Sequence, residues 1–269
     1  MHHGIHFPLF GLLSSPQVGI EIGMAAEEYG WDGVFVWDHL FSPVPGKWSI
    51  SDPWIVLAAI ATTTTTIRLG PMVCPLPRYR ISSLAQQTVT LDHLSQGRLI
   101  LGLGTGRDNW REYSAFGDDG SPQHLGRLLD QGVQVLTQLW SGKSVTFHGE
   151  LTVEQAQLHP SPVQNPRIPL WFGTNRTTGT PIRRAACYDG IFPIGFLQGM
   201  PLEDLVTIIT TITHIRGDLD DFDIAVGIYP DQLIDPQLVT LGVSWIMHTF
   251  WPGDTPDKIL EFISHGPPQ

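Results

Sequence analysis

One stretch of the sequence, residues 91–106 (LDHLSQGRLILGLGTG), constrains the fold more than any other. Its first part has the pattern of a helix that ends at Gly97, and the apolar run that follows breaks up into glycines. Because residues 98–105 show no polar alternation, we predict a strand buried on both faces, as in parallel sheets covered by helices. The glycine-rich carboxyl end of such a strand is where α/β proteins commonly bind a ligand.

The rest of the chain alternates between strand and helix patterns. We predict strands over 4–10, 33–40, 68–76, 98–105, 169–172, 190–195, 222–229 and 243–250. Helical segments are predicted over 17–29, from 53 into the threonine run at 62–66, and over 81–95, 124–140, 181–188, 201–215, 235–242 and 255–264. This pattern favours an α/β fold, a single (β/α)8 TIM barrel domain over 1–269, with an open doubly wound sheet as the alternative. Residues 144–168 predict a hairpin-containing insertion between helix 4 and strand 5.

Composition excludes several classes of protein. Hydrophobic residues make up 42% and charged residues 15%, which is typical of a globular chain. The net charge of -11 argues against nucleic acid as a partner. No apolar run has the roughly 18 residues of a membrane helix, and the N-terminus lacks a secretion signal, so we expect no membrane association and a cytoplasmic location. The two cysteines, in neither a CxxC nor a Cys/His cluster, predict neither a disulfide framework nor a zinc site.

In a barrel, the active site lies at the carboxyl ends of the strands, and here those ends are aromatic, rich in glycine and poor in carboxylates. His39, next to Asp38, is the one group there that can move a proton near neutral pH, although a packing histidine is the alternative. His2 and His3 precede the predicted first strand, at the opposite end of the barrel, so we predict no metal site.

Known catalytic motifs are missing, but two loops carry groups that suit an anion. The sequence has no GxSxG elbow, and Arg107 stands where a GxGxxG fingerprint needs its third glycine. The loop GTNRTTG, 173–179, predicts a phosphate site with Arg176, or alternatively an ordinary capping turn. The cluster of Arg78, Tyr79 and Arg80 faces either a substrate or solvent. Trp110 and Tyr113 form either a substrate wall or packing beneath a lid.

Taken together and in order, seven pieces of the sequence resemble the bacterial luciferase-like flavin-dependent monooxygenases and reductases, and they cover nearly the whole chain. The pieces are AAEEYGWDGVFVWDHL, IRLGPMVCPLPRYR, SLAQQTVTLDHLSQGRLILGLGTG with the following SAFG, LTQLWSG, VTFHGE, SPVQNPRIPLWFGT and RRAACYDGIFP.

The resemblance implies a barrel that binds reduced FMN, or the deazaflavin coenzyme F420, at its carboxyl-terminal mouth. It implies that His39 is catalytic and that the flavin ring rests on a strained, often cis, peptide within 73–76. The cofactor-binding residues it implies are Asp38, Val73, Cys74, Pro75, Thr105, Gly106, Arg107, Gly173, Thr174, Asn175, Arg176 and Thr177. Glycines 104 and 106 would let the backbone approach the flavin.

The cofactor decides the chemistry that the resemblance implies. Reduced FMN with O2 oxygenates a small organic substrate, whereas F420 only moves hydride. Deazaflavin-dependent relatives often have a glutamate directly after the GTG turn; this chain has Arg107, which favours an FMN monooxygenase with F420-dependent hydride transfer as the alternative. The resemblance also implies a homodimer through helices 2 and 3 and a separate flavin reductase as partner. A non-catalytic flavin-binding protein and a metal-dependent barrel hydrolase are further alternatives.

Overall fold

The chain forms a barrel of parallel strands that is covered by helices and carries an antiparallel hairpin on its outside. The computed structural model describes residues 1–42 and 45–268. The strands are β1 (His2–Phe7), β2 (Gly33–Val36), β3 (Arg68–Pro71), β4 (Cys74–Pro75), β5 (Leu101–Gly104), β6 (Val145–His148), β7 (Thr152–Ala156), β8 (Leu170–Thr174), β9 (Gly190–Pro193), β10 (Asp223–Ile228) and β11 (Trp245–Thr249). The helices are α1 (Pro16–Glu28), α2 (Pro53–Thr63), α3 (Ile81–Leu94), α4 (Pro122–Trp140), α5 (Thr180–Ala186), α6 (Leu202–Arg216), α7 (Gln237–Thr240) and α8 (Pro256–Ser264).

The sheet runs in the order β3-β2-β1-β11-β10-β9-β8-β5-β4, and its two ends meet. β3 and β4 are two parts of one barrel strand. The barrel closes where the Leu69 N–H donates to the Arg98 carbonyl at 3.2 Å and the Ile100 N–H donates to the Leu69 carbonyl at 2.9 Å. A Cβ on Gly70 would lie 1.8 Å from the Ile100 carbonyl oxygen, so only glycine permits this approach. The predicted (β/α)8 barrel is confirmed and the open sheet is wrong.

Most residues of the barrel strands are apolar because both faces of the sheet are buried. In β2, Phe35 points into the barrel, while Val34 and Val36 pack outward beneath the helices. The barrel interior is filled by Phe35, Met72, Ile100, Trp171, Phe192, Ala225, Trp245 and Met247. This interior packing closes the barrel below its carboxyl-terminal end and leaves that end, the mouth, for chemistry.

Helix ends follow the local signals, whereas several strand ends differ from the prediction. The Asp52 carboxylate accepts the Ile55 N–H at 3.0 Å, and Pro53 stands at the first position of α2, where the predicted helix begins. His2 and His3 lie within β1 rather than before it, still at the amino-terminal end of the barrel. Arg98 lies before β5; its carbonyl takes part in the barrel closure, and its buried guanidinium donates to the last carbonyls of the α2 segment.

The predicted insertion between α4 and β8 is a hairpin, with β6 and β7 antiparallel. Its turn lies against α4, where the Glu150 carboxylate pairs with Arg127 and with His124 at 2.8 Å. Gln131 of the same helix accepts the Leu151 N–H at 3.2 Å. The insertion is therefore held on the outside of the barrel. Within the two described ranges, no helix is long and apolar enough to cross a membrane.

Candidate active site

His39 lies just after β2 at the mouth, within an aromatic wall. Its ring lies 5.9 Å from the ring of Phe10, 6.1 Å from that of Trp37 and 5.5 Å from that of Trp110. Trp37 in turn contacts Trp251 after β11, with 5.2 Å between ring centroids. Trp110 is thus part of the wall, as one of the two predicted alternatives states. An apolar wall around one imidazole suits a small organic substrate whose proton must be moved.

Tyr113, the other loop aromatic, packs beneath its loop instead of facing the mouth. It is buried, and its hydroxyl donates to the Thr105 carbonyl at 2.6 Å. Burial raises the pKa of this phenol above its ordinary value, so the group remains a neutral hydrogen-bond donor. Tyr113 therefore fixes the turn that follows β5.

The sequence prediction missed Glu112, whose carboxylate is the hydrogen-bond partner of His39. Only 3% of its side chain is exposed, and Oε1 accepts from His39 Nδ1 at 3.2 Å. The same oxygen accepts the backbone N–H groups of Leu40 at 2.7 Å and Phe41 at 3.1 Å. Burial by itself raises the pKa of Glu112, but the bond from His39, the charge of Arg78 and the Phe41 N–H outweigh it and lower the pKa. The mouth therefore holds an ionised carboxylate beside its histidine.

Arg78 stands between two carboxylates behind His39. Its Nη1 donates to Glu112 Oε2 at 3.0 Å, and its Nη2 pairs with Asp38 Oδ1. The Tyr79 hydroxyl donates to Asp38 Oδ2 at 2.8 Å. Burial raises the pKa of the Asp38 carboxyl, and these two donors oppose that rise. Asp38, predicted to bind a cofactor, is thus engaged with Arg78 and Tyr79, which are partly buried; Arg80 is exposed.

A second histidine that the prediction missed, His6, lies inside the barrel below the mouth. Its Nε2–H donates to the Met72 carbonyl at 2.9 Å, and its Nδ1 lies 3.0 Å from the Thr249 hydroxyl. Burial lowers the pKa of His6 to about 4, so the ring is neutral at pH 7. The peptide between Met72 and Val73 is cis, one bond earlier than the predicted range of 73–76.

Val73 fills the space between two glycines at the mouth. A Cβ on Gly173 would lie 2.6 Å from Val73 Cγ1, and a Cβ on Gly104 would lie 3.1 Å from Val73 Cγ2. Ile194 after β9 would also lie 3.0 Å from a Cβ on Gly173. We call Val73, Gly104, Gly173 and Ile194 the floor of the mouth. Because the two glycines lack side chains, the methyl groups of Val73 pack directly against the backbone of β5 and β8.

The loop after β8, predicted to hold a phosphate, contains a buried acceptor without a partner. Asn175 Oδ1 has no hydrogen-bond donor among the described residues. The Thr174 hydroxyl accepts the Arg176 N–H at 2.9 Å, and the Arg176 side chain is exposed. A buried acceptor without a donor calls for an explanation, and a ligand hydroxyl would supply one.

The remaining predicted cofactor residues lie at or behind the mouth. Cys74 and Pro75 are buried, and Cys74 packs in the core between barrel and helices rather than facing the mouth. The Thr105 hydroxyl donates to the Gly106 carbonyl at 3.0 Å. Arg107 is exposed, and Thr177 is half-buried. In the parts of the chain that the structure describes, no group of three or more His, Cys, Asp and Glu could hold a metal ion.

Comparisons with known proteins show which family and which fold this chain is similar to. A family model described as luciferase-like monooxygenase matches residues 12–230. The F420-dependent hydroxymycolic acid dehydrogenase of Mycobacterium tuberculosis is 32% identical over 146 residues, which are 54% of this chain and 40% of the relative. The F420-dependent glucose-6-phosphate dehydrogenase of Nakamurella multipartita is 31% identical over 169 residues, which are 61% of this chain and 48% of the relative. The chain spans about half the length of these curated relatives.

A solved structure also resembles this one along nearly its entire length. It is an F420-dependent secondary alcohol dehydrogenase in complex with an F420-acetone adduct, with a TM-score of 0.77. The alignment covers 98% of this chain and 97% of that chain, at 18% sequence identity. At that identity the likeness supports the barrel fold alone.

Proposed function

Because the chain belongs to the luciferase-like monooxygenase family, we propose that it is an oxidoreductase that uses coenzyme F420 to transfer hydride to or from a small organic substrate. Two curated relatives are named as F420-dependent dehydrogenases, which supports this cofactor. The observation that carries the proposal is the His39–Glu112 pair at the mouth, because oxidation of an alcohol to a carbonyl requires a base for the hydroxyl proton.

The residues of the chain handle the proton. His39 Nδ1 is engaged by Glu112, while Nε2 has no partner among the described residues. Nε2 takes the proton of a substrate hydroxyl, and the carboxylate of Glu112 stabilises the imidazolium that forms. The bound deazaflavin would accept the hydride from the substrate carbon that bears this hydroxyl. The aromatic wall of Trp37, Trp110 and Trp251 keeps water from the reacting carbon.

The residues at the mouth fit such a cofactor. The floor carries Val73 and Ile194, two partly exposed apolar side chains that suit contact with a flat ring. Asn175 Oδ1, buried and without a donor, suits a hydroxyl of the cofactor's side chain. Thr174, Arg176 and Thr177 lie on the same loop and stay our prediction for the phosphate. Thr105, Gly106 and Arg107 on the neighbouring turn stay predicted cofactor-binding residues.

Replacing Gly173 by alanine is expected to weaken cofactor binding about tenfold, since overpacking costs about 1–3 kcal/mol. The new Cβ lies 2.6 Å from Val73 Cγ1 and forces the floor to move. Fluorescence titration of the cofactor measures the change. Gly126→Ala on α4 is the matched control, because no atom lies within 4 Å of its Cβ. Equal affinities for both variants would show that the floor does not contact the cofactor.

Two alternatives from the sequence have less support. Arg107 favoured FMN and monooxygenase chemistry, but the names of the curated relatives favour F420. A non-catalytic flavin-binding protein was motivated by a mouth poor in acids and bases, and Glu112 beside His39 removes that motive. A homodimer stays a proposal; the side chain of Ile55 on α2 is 66% exposed and suits such an interface.

Titration of the purified protein with F420 and with FMN, both in oxidised and reduced form, tests the proposal. We expect the dissociation constant for F420 to be at least about tenfold lower than that for FMN. Reduction of bound F420 by members of a panel of alcohols then establishes hydride transfer. Tighter binding of FMN with substrate-dependent O2 consumption would instead establish the monooxygenase, and no binding of either cofactor would refute both.

A further inference from the structure

We propose that Glu112 is a positioning residue that sets the tautomer of His39 and fastens together the two mouth loops, 37–42 and 107–113. The role rests on the proposed use of His39 as the proton acceptor. Glu112 acts through His39 and the loop backbone rather than on a substrate.

Four donors from two parts of the chain, residues 39–41 and Arg78, converge on the Glu112 side chain. Oε1 accepts from His39 Nδ1 and from the N–H groups of Leu40 and Phe41, and Oε2 accepts from Arg78 Nη1. Both oxygens must therefore be acceptors. A glutamine at this position has one acceptor and one donor, so either orientation of its amide sets an N–H against a donor. Only an ionised carboxylate satisfies the whole set.

The tautomer of His39 follows from this arrangement. A carboxylate oxygen that already accepts two backbone N–H groups cannot donate to Nδ1, so Nδ1 must carry the proton. Nε2 of the neutral ring is then a lone-pair acceptor. That is the form in which His39 can take the proton of a substrate hydroxyl, and the other tautomer would present an N–H to it.

The position of Glu112 is itself held from behind. Arg78 bridges its second oxygen to the buried Asp38, whose other oxygen accepts from the Tyr79 hydroxyl. In front, Phe41 stacks on Phe116 with ring centroids 6.0 Å apart and ring planes 2° apart. The carboxylate is therefore fixed by buried partners, and the loop that carries His39 is fixed by the carboxylate.

Nitrogen NMR of protein labelled with 15N-histidine tests the proposal without cofactor. The spectrum of His39→Ala, which lacks one set of signals, assigns His39. In the wild-type protein we expect the neutral ring of His39 to be almost entirely the Nδ1–H tautomer. In Glu112→Gln we expect a mixture of tautomers, and faster amide exchange at Leu40 and Phe41 by about tenfold or more.

Glu150→Gln is the matched control, because Glu150 also accepts from a histidine Nδ1, that of His124, at 2.8 Å on the outside of the barrel. It should leave the signals of His39 unchanged. An Nε2–H tautomer in the wild-type protein overturns the proposal, and so does an unchanged tautomer in a folded Glu112→Gln. If that variant does not fold, the wild-type tautomer alone decides. Failure of F420 binding would refute the proposed function but would leave this tautomer result standing.

Discussion

His39→Ala is expected to lower the turnover number by about 10²- to 10⁴-fold, the range for loss of a general base. The affinity for F420 should change by less than about threefold, because the role proposed for Nε2 is toward the substrate and not the cofactor. Steady-state kinetics with a reactive alcohol, together with the cofactor titration, separates the two effects.

The control for this prediction is His148→Ala on the hairpin, where the side chain is 68% exposed and lies outside the barrel. It should leave turnover and affinity unchanged. If His39→Ala lowered the affinity for F420 by as large a factor as the turnover number, His39 would hold the cofactor rather than move a proton.

Lowering the pH from 7.5 to 5 is expected to cost about 4 kcal/mol of unfolding free energy, about 2 kcal/mol from each of two buried histidines. Burial lowers the pKa of His6 to about 4 and that of His248 to about 3, below the ordinary 6.5. Below pH 6.5 the unfolded chain binds protons that the folded one does not. The stability present above pH 6.5 is therefore lost as the pH falls toward the folded pKa values.

Urea unfolding at several pH values measures this loss of unfolding free energy, and the variant His248→Gln removes the contribution of His248. His248 is buried against Trp31 and Phe262, and its Nε2 lies 3.1 Å from His3 Nδ1. The variant keeps a polar group but does not titrate, so the slope between pH 6.5 and 5 should fall by about half. His148→Gln should keep the full slope. An unchanged slope in His248→Gln would show that His248 is protonated in the folded protein.

The fold could be predicted because its signals are local. Runs such as residues 98–105, apolar on both faces, indicate parallel strands, and Asp52 followed by Pro53 marks the start of a helix. The strand ends were less accurate because hydrogen bonding, not hydrophobicity, ends a strand. Residues 98–100 belong to the same run in sequence, yet there only an isolated bridge joins Leu99 to Leu69, and the regular pairing of β5 begins at Leu101.

Less of the site could be predicted, because its contacts join distant parts of the chain. His39 was found since it ends a strand, but Glu112 lies in an irregular loop that meets it only in three dimensions. His6 was missed because it alternates with core residues along β1 and is distinguished by its bonds to Met72 and Thr249, which appear only in three dimensions. The sequence could not predict the surroundings of Arg78 either, because its ion pair with Asp38 joins residues that lie far apart in the chain.

The groups that manage the proton, from Asp38 through Arg78 to Glu112, all come from the part of the barrel between β2 and α4. The loops after β10 and β11 bring aromatic side chains together, with Tyr229 and Trp251 in ring contact at 6.4 Å. In the proposed reaction, the proton groups therefore come from one segment, whereas the aromatic wall combines Trp37 and Trp110 of that segment with Trp251 of a late loop. Exchange of the late loop alone would change part of the wall and leave Arg78 and Glu112 in place.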